Sequence, residues 1–368
     1  MEKRLKAKHG IVCRLEGNPF GYFGWPSVAR LGNGVLVAGC SGFRLAHICP
    51  FGKTVLFYSL DNGDTWSPPV VVNDTLLDDR DVGLLALGGN RLLLTWFNLD
   101  IKYFRETFAS YMKENMPPNE YRMSMEVVNN YTDEMNEREV GSFVRLSNDG
   151  GITWEKPHRM PVTSPHGPCL LSDGSLFMVG KDFEIKEDTG KIMAFKSYDD
   201  GASWQYVSTI PLPEGVSWSN FFEPHSIQLP SGRIITHIRF QDAKRVTSHL
   251  PFTVFQTVSG DMGKTWSTPV PLGMSGSPPH IIRHSSGALI CVYGRREVPF
   301  GQRAMISTDD GETWDVDWII RDDGTDGDLG YPASAELPNG EILTVYYQRY
   351  RKGEKTSILW SKWTLPDI

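Results

Sequence analysis

The sequence has 368 residues, of which 40% are hydrophobic and 22% are charged, enough apolar side chains for a large buried core. Its formal net charge of −7 argues against a general nucleic-acid binder and against a protein that binds anionic membranes. The five cysteines are odd in number and lack a CxxC pair, so we expect free thiols rather than a zinc site or disulfides. The first residues lack the apolar stretch of a signal peptide, and we therefore expect a cytoplasmic protein.

A turn signature, Ser-x-Asp-x-Gly-x-Thr/Ser-Trp, occurs five times along the chain. Its copies are residues 59–66, 147–154, 197–204, 259–266 and 307–314. In each copy the Asp can accept hydrogen bonds from backbone N–H groups across the loop, the Gly can adopt a positive φ, and the Trp can cover apolar surface. Five copies predict a repeated pair of strands joined by the same tight turn.

These copies resemble the Asp-box, also called the bacterial neuraminidase repeat. The resemblance implies that they form the outer turns of β-propeller blades, as they do in sialidases and in many unrelated proteins. It therefore supports a fold, and we expect the turns themselves to have a structural role.

A second signature precedes each box and consists of a distinctive residue followed by two apolar strands around a Gly-containing turn. Its six copies begin near residues 25, 81, 166, 223, 279 and 331. Six copies at intervals suited to four-stranded sheets predict an all-β protein, a six-bladed β-propeller that forms a single domain over residues 1–368. Radial repetition is a stable solution because it protects the edges of the sheets.

Two segments depart from this rhythm. The last blade has no Asp-box and too few strands, so we expect the alternating residues 9–15 to supply its fourth strand. Residues 100–139 contain aromatic side chains at helical spacing and predict a partly helical insertion in blade two. The insertion could be a lid or an oligomer contact, and the sequence leaves the oligomeric state open.

The inner strands of a propeller converge on its axis, so the residues that begin them crowd one end of the central channel. Apolar or small residues would fill these positions in a purely structural arrangement, whereas this chain places arginines, acids and histidines there. We expect a carbohydrate substrate to meet these side chains: Trp25, Arg44, His47, Arg80, Asp81, His166, His225 and His280.

Four residues then give a more specific resemblance, to the sialidases. Glu223 begins an inner strand and Arg239 closes the next, Arg303 lies just before an Asp-box, and Tyr331 follows Gly330. The resemblance implies that Tyr331 is the nucleophile, that Glu223 is its base, and that Arg239 and Arg303 bind the carboxylate of a terminal acidic sugar.

The chemistry of such a site is consistent with these residue types. A sugar with a carboxylate beside its anomeric carbon repels an anionic nucleophile, so a neutral phenol is suitable, as in the sialidases. A phenol of pKa about 10 is a weak nucleophile alone, and a neighbouring carboxylate that takes its proton activates it. Arginine binds carboxylates through two parallel hydrogen bonds, which lysine cannot do.

Blade one departs from the sialidase pattern. Gly24 occupies the position of a third carboxylate-binding arginine, and the loop of residues 41–53 contains no acid where the sialidases carry their general acid. Arg44 could replace the missing cation and His47 the missing acid, because an imidazole of pKa near 6.5 suits proton transfer. Asp79 and Asp81, on either side of Arg80, are alternative acids or a salt-bridged brace.

Three functions therefore remain open. The first is a sialidase-like exo-glycosidase, and the second is an enzyme that cleaves another acidic sugar, such as a uronic acid, by hydrolysis or elimination. The third is a non-catalytic carbohydrate-binding propeller, which the Tyr331–Glu223 pair argues against because binding alone needs no activated phenol. No metal, phosphate-binding or nucleotide motif is visible, and we expect neither a cofactor nor a nucleic-acid or membrane partner.

Overall fold

The computed structural model describes residues 2–182 and 190–367. Its strands form six antiparallel sheets, one for each predicted blade, and the six-bladed β-propeller is confirmed. The innermost strand of blade one packs against the innermost strands of both blade two and blade six, so the ring of blades is closed. All five cysteines are free and buried, as expected.

Each blade has its strands in sequence order from the axis outwards, with blade six completed by the N-terminal strand. Blade one contains β2 (Tyr22–Arg30), β3 (Leu36–Arg44), β4 (Lys53–Ser59) and β5 (Val70–Asn73), and blade two contains β6 (Asp78–Ala86), β7 (Leu92–Leu99), β8 (Ser142–Ser147) and β9 (His158–Met160). Blade three contains β10 (Val162–Thr163), β11 (Cys169–Leu170), β12 (Leu176–Asp182), β13 (Ile192–Ser197) and β14 (Gln205–Thr209), and blade four contains β15 (Phe221–Gln228), β16 (Ile234–Gln241), β17 (Phe252–Ser259) and β18 (Val270–Pro271). Blade five contains β19 (His280–Arg283), β20 (Leu289–Arg295), β21 (Gly301–Ser307) and β22 (Asp315–Arg321), and blade six contains β23 (Gly330–Glu336), β24 (Ile342–Arg349), β25 (Thr356–Trp363) and β1 (Ala7–Cys13).

Strand β1 closes the ring of blades, as the alternating N-terminal residues predicted. It pairs antiparallel with β25, with Ala7 opposite Trp363 and Gly10 opposite Trp360. Gly10 is required at this pair, because a Cβ there would fall 2.3 Å from the indole of Trp360. The two ends of the chain are therefore held in one sheet, in which β1 is the outermost strand and covers the edge of β25.

The Asp-box turns have the predicted chemistry. In the first copy, Ser59 Oγ donates to Asp61, which accepts the backbone N–H of Thr65 at 2.9 Å, and Gly63 has φ 85°. The indole N–H of Trp66 donates to the Gly63 carbonyl at 3.2 Å. The serine–aspartate–backbone pattern recurs at Asp149, Asp199, Asp261 and Asp309.

The insertion in blade two contains helices, as the sequence predicted. It contains a π-helical segment (Tyr103–Phe108) and three α-helices, α1 (Ala109–Asn115), α2 (Pro118–Asn130) and α3 (Asp133–Glu139). Its apolar side packs on the loop that follows β3, where Leu45 and Cys49 are buried. Within the described residues, no helix is long and apolar enough to cross a membrane.

Candidate active site

Four inner strands share a bulge that turns one non-glycine residue to a positive φ. These residues are Trp25 (φ 55°), Asp81 (φ 50°), Glu223 (φ 48°) and Tyr331 (φ 47°). At each one the pairing with the next strand shifts, so that an extra residue leaves the ladder. Such conformations cost about 1–3 kcal/mol each and persist where the surroundings enforce them, often at functional sites.

The four bulges bring their side chains together in one pocket of 250 Å³ at the axis. Its polar wall consists of His47, Arg80, Asp81, Glu223, Arg239, Arg296 and Tyr331. Its apolar wall consists of Trp25, Ile48, Phe97, Leu99 and Phe108. The volume lies just below the range typical of drug-sized ligands, so the pocket suits a small ligand such as one sugar unit.

Tyr331, Glu223 and Arg239 form a hydrogen-bonded triad at the floor of this pocket. The Tyr331 hydroxyl donates to Glu223 Oε1 at 2.5 Å. Arg239 Nη1 donates to the other oxygen of Glu223, at 2.6 Å, and to the Tyr331 hydroxyl, at 3.1 Å. The sequence separates these residues widely, and the structure brings the three of them into direct contact.

The surroundings of Tyr331 keep its phenol neutral until a base takes the proton. Burial raises the pKa of Tyr331 well above its ordinary value, and the charges of Glu223 and Asp81 raise it further, whereas Arg239 and Arg296 act in the opposite direction. Glu223 accepts the phenolic proton in a hydrogen bond and is therefore the group placed to remove it.

Asp81 lies beside this triad as a second carboxyl group. Burial, and then the negative charge of Glu223, raise the pKa of Asp81 to about 7, while Arg80 and Arg239 lower it. A carboxyl group with its pKa raised by burial and by a neighbouring carboxylate is typical of active sites. Asp79 is different, because its carboxylate accepts bonds from Asn73 and Thr75 and lies outside the pocket.

Arg296, rather than Arg303, contributes the second arginine of the pocket floor. The guanidinium of Arg303 is 2% exposed and donates to the backbone carbonyls of Gln302, Arg321 and Pro299. It therefore fixes the strands of blade five and does not line the pocket. The guanidinium of Arg296 lies 5.5 Å from the ring centroid of Tyr331.

Arg44 of blade one and Arg80 of blade two both pack against the ring of Trp25. Arg44 is fully buried in an ion pair with Asp78, and it does not line the pocket. Arg80 does line the pocket, and its guanidinium stacks 4.0 Å from the Trp25 ring centroid. Arg44 lies 4.7 Å from the same ring centroid and supports it from behind. Of these two arginines, Arg80 is therefore the one that lines the pocket, in place of the Arg44 that the sequence suggested.

His166, His225 and His280 form a separate cluster away from the pocket lining. The rings of His225 and His280 stack with centroids 4.5 Å apart, and the ring of His166 lies 4.8 Å from that of His280. The backbone N–H groups of Ile281 and Ser334 donate to Nδ1 of His225 and His280. Substrate contact, which the sequence suggested for these histidines, is not what the structure gives them.

The sequence predicted Trp25 in the pocket, but it did not predict the other apolar residues of the wall or the partners of His47. Phe108 reaches the pocket from the insertion, and its helical spacing was a signal that could have been followed. Tyr22 and Asp328 both contact His47 Nδ1, the latter at 2.9 Å. Among the described residues, no group of three or more His, Cys, Asp or Glu side chains has a geometry that could hold a metal ion.

Comparison with known proteins places the chain among Asp-box proteins. The family model of the BNR repeat-like domain matches residues 120–344, more than half of the chain, and that of the BNR/Asp-box repeat matches residues 57–68. Comparison with curated proteins finds no match.

Solved structures with the same fold cover nearly the whole chain. A protein of unknown function from Dyadobacter fermentans has a TM-score of 0.74 at 22% identity, over 98% of this chain and 99% of its own. The intramolecular trans-sialidase from Ruminococcus gnavus, in complex with oseltamivir carboxylate, has a TM-score of 0.64 at 16% identity, over 94% and 95%. The leech intramolecular trans-sialidase has a TM-score of 0.68 at 17% identity, over 97% and 70%. At these identities the likeness establishes the fold alone.

Proposed function

The chain belongs to the BNR repeat-like domain family, and from this premise we propose that it is a sialidase-like exo-glycosidase that removes a terminal acidic sugar. One observation carries the proposal, which is the hydrogen bond of 2.5 Å from the Tyr331 hydroxyl to Glu223, beside two arginines. A propeller that only bound sugars would need no phenol paired with a carboxylate base.

The proposed reaction has two steps at the anomeric carbon. Tyr331 Oη attacks this carbon as its proton passes to Glu223, the bond to the leaving oxygen breaks, and that oxygen takes up a proton from an acid of the site. Water then attacks the same carbon and gives a proton back to that acid, the bond to Tyr331 breaks, and Glu223 returns its proton to the phenolate. A covalent intermediate of this kind divides one difficult displacement into two easier ones.

The charges of the pocket favour a substrate with a carboxylate. Arg80, Arg239 and Arg296 line it. Burial and the charge of Glu223 raise the pKa of Asp81, which reduces the negative charge that this carboxyl group sets against the arginines. Arg239 is paired with the carboxylate of Glu223, whereas Arg296 donates to the Leu329 carbonyl and the Tyr347 hydroxyl, which are neutral groups. Arg296 is therefore the guanidinium placed to bind the substrate carboxylate. The structural neighbour from Ruminococcus gnavus, solved with oseltamivir carboxylate, supports an anionic ligand.

A second candidate is a glycosidase on the same scaffold that acts on a uronic acid. Two observations favour it, since Gly24 provides no side chain to the pocket and Arg44 is held by Asp78. In blade one, the residues available to bind the substrate carboxylate therefore differ from those of the sialidases. These residues determine where the carboxylate of a bound sugar can lie.

A panel of aryl glycosides tests the proposal, with sialic acid, glucuronic acid, galacturonic acid and the matched neutral hexoses as the sugars. We expect release of the aryl group from an acidic sugar and not from the neutral ones, with loss of turnover in Tyr331→Phe and Glu223→Gln. Turnover of a sialoside supports the first candidate, and turnover of a uronide alone supports the second.

The matched control is Tyr346→Phe, a second buried tyrosine in blade six that does not line the pocket. Its turnover should equal that of the wild type. Turnover that Tyr331→Phe and Glu223→Gln both retain in full would refute the proposed site.

A further inference from the structure

We propose that His47 is the group that protonates the leaving oxygen, and that Asp328 and Tyr22 position its imidazole for this task. This inference rests on the proposed function and adds its missing acid. It assigns a role to a side-chain network that the Tyr331–Glu223 pair leaves unexplained.

The network fixes one nitrogen of the ring and leaves the other available. Asp328 Oδ1 and the Tyr22 hydroxyl each lie 2.9 Å from His47 Nδ1, and the same hydroxyl donates to Asp328 Oδ1 at 3.0 Å. Asp328 is also paired with Arg349, at 3.4 Å. Nδ1–H is therefore directed to the carboxylate, and within the described chain no hydrogen bond engages Nε2. This leaves Nε2 as the nitrogen that can serve a substrate.

The backbone of His47 is held as firmly as its ring. Its carbonyl accepts from Arg44 Nη2 at 3.1 Å and from Arg80 Nη1 at 3.2 Å. Its ring packs edge-on against Trp25, with centroids 5.0 Å apart. An acid catalyst must stay within hydrogen-bond reach of the leaving oxygen, and these contacts hold the imidazole in one place.

The position of His47 at the rim is the one that an exo-glycosidase requires of its acid. The sugar to be released fills the pocket, and the rest of the glycan leaves through the mouth, so the bond to be protonated lies near the mouth. The side chain of His47 is 35% exposed, compared with 18% for Glu223 and 10% for Arg239. Trp25 packs against both His47 and Tyr331, so it lies between the acid and the nucleophile.

Asp81 is the competing acid, and its location fits less well. It is 8% exposed, compared with 35% for the side chain of His47, so it lies deeper in the pocket, as do Glu223 and Tyr331. The bond to the departing group lies near the mouth, which is the side of His47. Asp81 is therefore the better control, since it is a titratable pocket residue without the proposed role.

The proton balance is complete with residues of this chain. In the first step, His47 Nε2–H gives its proton to the leaving oxygen as the glycosidic C–O bond breaks, while Tyr331 bonds to the carbon and its proton passes to Glu223. In the second step, neutral His47 takes a proton from the attacking water, the C–O bond to Tyr331 breaks, and Glu223 returns its proton to Tyr331.

Burial and the neighbouring charges act on the pKa of His47 in opposite directions. Burial lowers the pKa of His47, and Arg80 and Arg296 lower it further, whereas the hydrogen bond and the charge of Asp328 raise it. Removal of the Asp328 charge should therefore lower the pKa of His47 further, so that the imidazole loses its proton at a lower pH than in the wild type. Activity that depends on protonated His47 would then disappear at a lower pH.

The decisive experiment compares leaving groups, on whichever acidic sugar the wild type cleaves. With an alkyl leaving group, His47→Gln should lose about 100-fold or more in kcat/KM, because protonation of a poor leaving group is worth about 10²–10⁴-fold. With a dinitrophenyl leaving group, which departs without a proton, the loss should be several-fold at most. Asp81→Asn should show no such difference between the two leaving groups.

The positioning role has a separate readout in the pH profile. Asp328→Asn should move the basic limb of kcat/KM to lower pH by about one unit, the smallest effect typical of an adjacent opposite charge. Tyr22→Phe retains the carboxylate, so it should lower kcat with a much smaller shift of the limb. A purely structural effect of Asp328 would lower activity at all pH values and leave the limb in place.

Some results would overturn the role of His47 alone, and another would overturn the proposed function as well. Equal losses of His47→Gln on both leaving groups, or a leaving-group dependence in Asp81→Asn alone, would overturn this inference while leaving the Tyr331–Glu223 proposal intact. A wild type that cleaves no acidic glycoside would overturn the proposed function and this inference with it.

Discussion

The pocket and the three-histidine cluster share the inner strand β15 but are built in opposite ways. In the pocket, strained bulges turn Glu223 and Tyr331 off the strand ladder into a cavity with three arginines. In the cluster, His225 lies only two residues beyond Glu223, yet its ring stacks on His280 and accepts a backbone N–H.

The difference shows that position within the repeat decides what a polar side chain does. His225 lies three residues before Gln228, the last paired residue of its strand, and His280 lies three residues before Arg283 in the next blade. The two histidines are thus equivalent, and both belong to the ladder rather than to the bulge. On these inner strands the bulge residues Glu223 and Tyr331 reach the pocket, whereas the ladder residues His225 and His280 stack on each other across neighbouring blades.

The largest effect should come from the pocket. Tyr331→Phe removes the nucleophile and should lower kcat by roughly 10³-fold or more, since removal of a covalent nucleophile is among the costliest changes to an enzyme. His280→Gln, in the cluster, should retain most of the activity when assayed at pH 7.5. Steady-state kinetics with the best aryl glycoside measures both, and equal losses in the two variants would remove the distinction between pocket and cluster.

The cluster should instead determine stability against acid. Burial lowers the pKa values of His166, His225 and His280 well below their ordinary value. The unfolded chain therefore takes up protons below pH of about 6.5 that the folded protein does not, and stability present above that pH is lost as the pH falls. Each histidine contributes about 1.4 kcal/mol per pH unit in this range.

Urea denaturation between pH 7.5 and 5 measures this slope. His280→Gln should reduce the slope, since one buried histidine fewer must be protonated on unfolding. His158→Gln is the control, because His158 is exposed at the edge of blade two. A slope that is unchanged in His280→Gln would show that the cluster does not govern acid stability.

A smaller effect should separate the two arginines of blade five. Arg296→Ala should raise KM for the acidic substrate and lower kcat/KM by about 10–100-fold, because a hydrogen bond to a charged group contributes about 1.5–3 kcal/mol. Arg303→Ala should leave KM unchanged and lower the melting temperature, since it leaves buried carbonyls without a donor. A raised KM in Arg303→Ala with an unchanged KM in Arg296→Ala would instead assign the binding of the substrate carboxylate to Arg303.

The smallest effect should come from Asp81. Its pKa is raised to about 7, so the folded state holds a proton that the unfolded chain releases, and the associated stability is lost as the pH rises towards 7. Asparagine does not ionise, and Asp81→Asn should therefore raise stability at pH 8, by about 1 kcal/mol, while activity falls. Thermal unfolding at pH 5 and pH 8 tests this, and a gain at pH 5 alone would contradict it.

The fold was predictable because its signals are local. Each Asp-box contains its own turn, as the bonds of Asp61 show, and each strand pair contains its own apolar pattern. The pairing of β1 with β25 followed from a missing strand and an unused alternating segment. The β-bulges gave no local signal, because a tryptophan, an aspartate, a glutamate and a tyrosine share no propensity for positive φ.

The site was only partly predictable, because its contacts join distant parts of the chain. Arg296 and Arg303 are both arginines at strand ends of blade five, and only the packing decides which of them faces the axis. Tyr22 and Asp328 are 306 residues apart and meet because the ring of blades closes between them. Tyr331, Glu223 and Arg239 were found by resemblance, while their hydrogen bonds needed the structure.

Covalent trapping tests the central claim most directly. The wild type, incubated with fluorinated analogues of the acidic sugars that carry a good leaving group, should gain the mass of one sugar residue. Peptide mass spectrometry should locate this mass on Tyr331, and Tyr331→Phe should gain none. A sugar attached to another residue, or an equal gain in Tyr331→Phe, would contradict the account of a tyrosine nucleophile activated by Glu223.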